Sequence, residues 1–311
     1  MAPPTNAKEL HGACSVAPQK AQLGWRGLSP QAVGVLLVLL ATVLWSTNGL
    51  FIKVLSIEAL PLTGLRCAMA GVLLAPWMRS LKFRLEGDLA ILIIFYTVMS
   101  LSFVTATKWT AAANAIVLQS TSPVWVFLVA CLLARRVYWR YTVSIGIIVL
   151  GLAIIMAEPA HGTSFLGNLL GLAAGISFAG VNIYYARVRR PAVEVMVLIN
   201  VVAALVIFAV QPGAFRFAEY SALEWLSLAY LGGIQIGLAH MCFFAALKRI
   251  STTQAAVLSL VEPLLNPIWV YLAIGELPSA YGFIGGGLVL SGIAVDALLR
   301  RNGRGAAAAR P

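Results

Sequence analysis

Glu262 is a carboxylate set in an apolar stretch, with Ser259 three residues before it, Asn266 four after it, and Pro263 and Pro267 alongside. On a helix the three polar side chains share one face. The prolines withdraw two backbone donors and crowd the carbonyls one turn earlier, so a kink with unpaired carbonyls is expected beside the acid. A carboxylate at mid-depth in a membrane must face protein or water, and there it suits proton exchange or pairing with a cation. A structural hydrogen bond is the plainer alternative. Arg66, also within an apolar run, is expected to snorkel to the nearer surface, with anion binding or pairing with Glu262 as the other readings. His240 reads as a structural hydrogen-bonder or a proton partner of Glu262. With Ser177 it raises an intramembrane serine-protease reading, but the tight glycine spacing around such a nucleophile is missing. His-Glu-x-x-His, paired aspartates and phosphate-cradling loops do not occur, so no enzyme, no ATP drive and no cofactor is expected. Cys67, Cys131 and Cys242 stand singly, which gives no metal site.

The elements that hold these groups must lie in lipid, because 60% hydrophobic and 11% charged residues over 311 positions exceed what a soluble core can bury. Five stretches, 31–52, 109–134, 162–186, 195–215 and 225–247, carry no Asp, Glu, Lys or Arg and are long enough to cross roughly 30 Å of hydrocarbon. Five more, at 59–78, 89–107, 141–157, 252–274 and 277–297, are shorter or hold one ionisable residue, which makes ten predicted spans. With the N-terminus inside, 18 of the 22 Lys and Arg fall on the cytoplasmic side. Lys53, Lys108 and Arg216 fall outside and Arg66 within a span, so the net charge of +11 encodes orientation rather than nucleic-acid binding. Both termini are expected in the cytoplasm, the protein lying in the inner (cytoplasmic) membrane. Glu194 and Asp296 are expected at solvated cytoplasmic helix ends. Residues 1–30 read as a disordered tail without a signal peptide, and Cys14 lacks the hydrophobic stretch that lipidation requires.

Ala106, Lys108, Ala115, Val117, Leu118 and Pro123 recur 140 residues later as Ala246, Lys248, Ala255, Val257, Leu258 and Pro263. Earlier positions match at an interval of 134: Asn48 with Asn182, Lys53 with Arg187, Arg66 with Asn200. A duplicated unit of five spans enters the membrane upside down the second time, and such inverted halves let one sequence adopt outward-open and inward-open shapes. Small-residue faces at Gly167, Gly171 and Gly175, at Gly233 and Gly237, and at Gly282 and Gly286 are expected to bring helices close.

The Trp45-Ser46 step, Leu65-Arg66, the Ala-x-Lys entries to helices 4 and 9 at 106 and 246, Pro123, Glu262-Pro263 and Gly275-Glu276 before a glycine-rich last span resemble the EamA-type branch of the drug/metabolite transporter superfamily over about residues 31–298. That resemblance implies a ten-helix bundle with a cavity lined by helices 1, 3, 4, 6, 8 and 9, helices 5 and 10 being peripheral. In the first repeat Ser122 stands for Glu262 and Arg136 for Glu276, so acidic groups are one-sided.

The expectation is therefore an all-α integral membrane protein of ten transmembrane helices in two inverted five-helix repeats, at 31–160 and 161–299, with a basic cytoplasmic tail at 300–311. Its expected work is secondary transport of small organic metabolites, whether amino-acid-like, amine or drug-like, by alternating access in the direction of efflux, with coupling to protons or counter-exchange. The competing readings are the intramembrane enzyme and a solute-binding sensor. Trp45, Asn48, Gln119, Ser122, Trp125, Ser177, Tyr184, His240, Ser259, Glu262 and Asn266 are the candidate substrate contacts, Glu262 also the coupling group. A small-molecule substrate and the bilayer are the expected partners and nucleic acid is not; a homodimer stays open.

Overall fold

A computed structural model describes residues 28–78, 86–135, 142–158, 163–250 and 252–308. The tail around Cys14 and the arginines at 136 and 140 lie outside them. Ten helices follow one another: α1 (Pro30–Ser46 and Asn48–Val54), α2 (Ala59–Leu74), α3 (Gly87–Trp109), α4 (Ala112–Gln119 and Ser122–Ala134), α5 (Thr142–Met156), α6 (Thr163–Tyr185), α7 (Ala192–Val210), α8 (Ala222–Leu247), α9 (Thr252–Ser259 and Val261–Ile274) and α10 (Ala280–Ala308). Eight are long and apolar enough to cross a bilayer, while α5 and the apolar part of α10, Ala280–Asp296, are shorter.

The packing maps onto itself when the halves are exchanged. Helices α2 and α7, α4 and α9, and α5 and α10 pack as pairs across the two repeats, and α3 lies along α6 as α8 lies along α1. Local chemistry repeats too. Pro123 and Pro263, equivalent at an interval of 140, each deny a partner to the carbonyl four residues back, and α4 and α9 break at the matching positions Ser120–Thr121 and Leu260. Both helices end on a left-handed residue, Arg135 with φ 47° and Gly275 with φ 70°, again 140 apart. These correspondences identify two inverted five-helix repeats.

Several boundaries differ from those read in the sequence. Lys108 and Trp109 close α3 and Lys248 caps α8, so the Ala-x-Lys triplets end a helix instead of starting one. Helix α7 stops at Val210 because Pro212 and Gly213 turn the chain, short of the predicted 215. Helix α10 runs on to Ala308 instead of ending near 297, so Asp296 is not at a solvated helix end but is 8% exposed, beside Pro123, Phe127 and Ile148.

Between Ala229 and Ala239 α8 widens into a π-helical stretch, Tyr230–Leu238, rich in glycine. A Cβ on Gly232 would lie 2.6 Å from the Ala70 backbone nitrogen and 2.7 Å from the Arg66 carbonyl oxygen, so only glycine lets α8 approach α2 here. Gly232→Val is expected to cost about 1–3 kcal/mol and to lower the unfolding temperature in detergent by several degrees. Gly287→Ala, where an added Cβ meets nothing within 4 Å, is expected to leave it unchanged.

Candidate functional site

Seven helices converge on a cavity of about 90 Å³ within the bundle. Its wall takes Trp45 and Asn48 from α1, Arg66 from α2, Tyr96, Met99, Ser100 and Phe103 from α3, Gln119 from α4, Phe178 from α6, Gln235, Ile236 and His240 from α8, and Glu262 from α9. Helices α5 and α10 contribute nothing, and α2 joins the expected six. A polar hollow of about 480 Å³ at the Lys53 end and an apolar groove of about 740 Å³ along α9 and α10 are larger. The central cavity is the one that brings a buried guanidinium and a carboxylate to one space within the bundle.

Hydroxyl groups hold the break in α1 that presents Trp45 and Asn48. Ser46 donates to the Val43 carbonyl at 2.7 Å and accepts from Trp269 Nε1 at 2.9 Å, while Thr47 donates to the Leu44 carbonyl at 2.8 Å and lies 2.9 Å from the Tyr230 hydroxyl. Arg66 is 6% exposed and donates to Asn48 Oδ1 at 3.1 Å. It does not snorkel: its position along α2 suggested a reachable surface, but its face of the helix turns inward. The repeat counterpart of Arg66, Asn200, accepts from the Tyr96 hydroxyl at 2.8 Å, which holds that ring against the cavity. His240 places Nδ1 2.7 Å from the Ile236 carbonyl and its ring edge-on to Trp45, with centroids 4.8 Å apart.

Arg66 Nε, Trp45 Nε1 and Gln235 Oε1 are buried with no hydrogen-bond partner. Each such group costs about 1–3 kcal/mol unless something else satisfies it. Among the described residues no ion pair joins Arg66 to Glu262, and no hydrogen bond reaches the Glu262 carboxylate. The cavity thus offers a guanidinium with an unpartnered donor on one wall and a carboxyl group without a protein partner among the described residues on another, with aromatic rings between.

Of the candidate contacts, Trp45, Asn48, Gln119, His240 and Glu262 line this space, and six do not. Ser259 sits before the break in α9 and donates back to the Ala255 carbonyl at 2.9 Å, so it no longer shares a continuous face with Glu262. Asn266 is fully buried and wedged against α1, where a Cβ on Gly49 would lie 2.5 Å from its Oδ1. Ser122 begins the second segment of α4 and is buried there, and Trp125 donates to Thr121 Oγ1 at 3.1 Å. Tyr184 stacks on Phe95 at 5.8 Å beneath Arg187. Ser177 is buried beside the cavity residue Phe178, and among the described residues no hydrogen bond joins it to His240.

Tyr96, Met99, Ser100, Phe103 and Phe178 were not among the candidates. The first four follow a helical spacing of three, one and three, which in an uncharged span reads as core. The duplication held a usable signal: Ser100 is the counterpart of His240 and Tyr96 of Ile236, at the interval of 140.

The model of the EamA-like transporter family matches residues 32–157 and again 165–296, one match to each five-helix half. The chain belongs to the EamA-like transporter family. It is a membrane transporter, similar to an uncharacterized transporter of Archaeoglobus fulgidus, 24% identical over 83% of this chain and 94% of the relative. It is also similar to a probable amino-acid metabolite efflux pump of Escherichia coli, 24% identical over 60% of this chain and 67% of the pump. The pseudopaline exporter of Pseudomonas aeruginosa is 25% identical over 83% of this chain and 93% of the exporter. A solved structure shares the fold with a TM-score of 0.60 over 87% of this chain and 98% of that one, at 19% identity.

Proposed function

We propose that this transporter exports small zwitterionic solutes of the amino-acid type by alternating access. The observation that carries the reading is that the Arg66 guanidinium and the Glu262 carboxyl group face one cavity without pairing with each other. A carboxylate on the solute satisfies the Arg66 guanidinium, whose Nε is unpartnered, and Trp45 Nε1. An ammonium group satisfies Glu262. Trp45, Tyr96, Phe103 and Phe178 supply apolar and π surface for the remainder. The volume of about 90 Å³ holds only a few waters, each taking about 30 Å³, so the two halves separate to admit a solute. Outward direction is supported by the names of the relatives, an efflux pump and an exporter. Arg187, Arg189, Arg190, Lys248 and Arg249 gather at one end and Lys53, Lys108 and Arg216 at the other, which favours a cytoplasmic arginine end. Glu262, free of protein partners, is the group suited to alternate between solute and proton.

A flux panel in proteoliposomes, with and without a pH gradient, tests this. Neutral amino acids are expected to move, and their N-acetyl and amide derivatives, each lacking one charge, at least about tenfold more slowly. Equal rates for the parent and both derivatives would refute the paired-charge reading.

A further inference from the structure

One end of the bundle is tied shut across the two repeats by a single carboxylate. Glu276 follows Gly275, whose φ of 70° ends α9 and turns the chain inward. Its Oε2 lies 2.7 Å from Lys53 Nζ in the last turn of α1, and its Oε1 accepts from the Ala112 N–H at 2.8 Å, at the start of α4. Lys53 also donates to the Thr110 carbonyl at 2.8 Å, and Lys108 to the Leu55 carbonyl. The loops after α1, α3 and α9 are thereby joined. The Lys53 and Glu276 side chains are only 15% and 26% exposed, so the pair is shielded from salt more than a surface pair is.

The opposite end is crossed by ion pairs with more exposed carboxylates: Arg190 donates to Glu86 at 3.2 Å, with side chains 12% and 52% exposed. The counterpart of Lys53 is Arg187, which lies 4.0 Å from Asp88, with side chains 42% and 46% exposed. The left-handed turn recurs at Arg135, yet the sequence continues there with Arg136 where the other end has its acid. The carboxylates at the arginine end are about half exposed and so more screened by salt than Glu276 is.

Resting on the alternating-access reading, we propose that Lys53 and Glu276 are the gate residues of the Lys53 end, holding that end closed in this conformation. Opening requires breaking the pair while Lys53 keeps only its carbonyl contact to Thr110. Solute binding between Arg66 and Glu262 must then compensate for the lost contact.

The test reads accessibility and not flux, so an unidentified solute does not affect it. Met99→Cys on the cavity wall, in a chain freed of its native cysteines, is labelled with a membrane-impermeant thiol reagent added from either side of oriented vesicles. The parent is expected to label from the arginine side. Glu276→Lys and the milder Glu276→Gln are expected to raise labelling from the Lys53 side by about tenfold or more, equivalent to ~1.4 kcal/mol. The charge-exchanged pair Lys53→Glu with Glu276→Lys is expected to bring it back towards the parent rate. Labelling from the Lys53 side that is unchanged in both single variants, or that the exchanged pair fails to reduce, would overturn the gate. Preferential labelling of the parent from the Lys53 side would likewise overturn the gate.

Discussion

Glu262→Gln is expected to reduce solute flux by about a hundredfold or more, while the protein remains in the membrane in normal amount and is no less stable. Glutamine keeps the shape and removes the charge. Truncating one partner of a buried, desolvated charge pair commonly costs 2–5 kcal/mol, and here the missing partner is the ammonium of the solute. The sign of the stability change separates this reading from a structural one. No hydrogen bond within the described residues reaches the Glu262 carboxyl group, so the glutamine amide breaks no protein contact in the empty carrier. An unfolding temperature in detergent that stays the same or rises, together with lost flux, is the expected pair of results. A marked fall in stability would show that Glu262 holds the bundle together instead.

Arg66→Lys is expected to weaken carboxylate-bearing solutes by about a hundredfold while leaving amines that lack a carboxylate nearly unaffected. Lysine retains the positive charge but not the planar fork, and it cannot both reach Asn48 and present two parallel donors to a carboxylate. Competition against a labelled zwitterion measures this, with each solute's inhibition constant compared between wild type and variant. An equal loss for amines and amino acids would place Arg66 in the scaffold, acting only through Asn48 at the break in α1.

The membrane class, the ten spans and the duplication were legible because lipid and symmetry leave periodic marks. Runs without charge give spans, and Pro123 with Pro263 fixes where two helices break. Depth and facing were less legible. Arg66 lies seven residues into α2, a distance that suggested the surface, yet α2 packs between α7 and α8 and turns that residue to the centre. Ser259 shares a face with Glu262 only on an unbroken helix, and the chain breaks at Leu260 beside Pro263; Asn266 stays on the Glu262 segment but packs against Gly49 of α1. Tyr96 and Phe103 carry no sequence mark of their own, because an aromatic residue on an inward face has the same spacing whether it meets a neighbour or an open space. The acid at Glu276 was visible as an asymmetry between the repeats, but its partners Lys53 and Ala112 are 223 and 164 residues away and only folding brings them together.

Alternating access predicts that a single site between the two inverted halves faces each side in turn. Entrance counterflow tests it most directly, with proteoliposomes loaded with unlabelled neutral amino acid and diluted into a trace of the labelled form. Alternate exposure of one site predicts a transient accumulation of label above its equilibrium level, absent in Glu262→Gln. Saturable binding of the label without any such overshoot would contradict the account and point to a sensor.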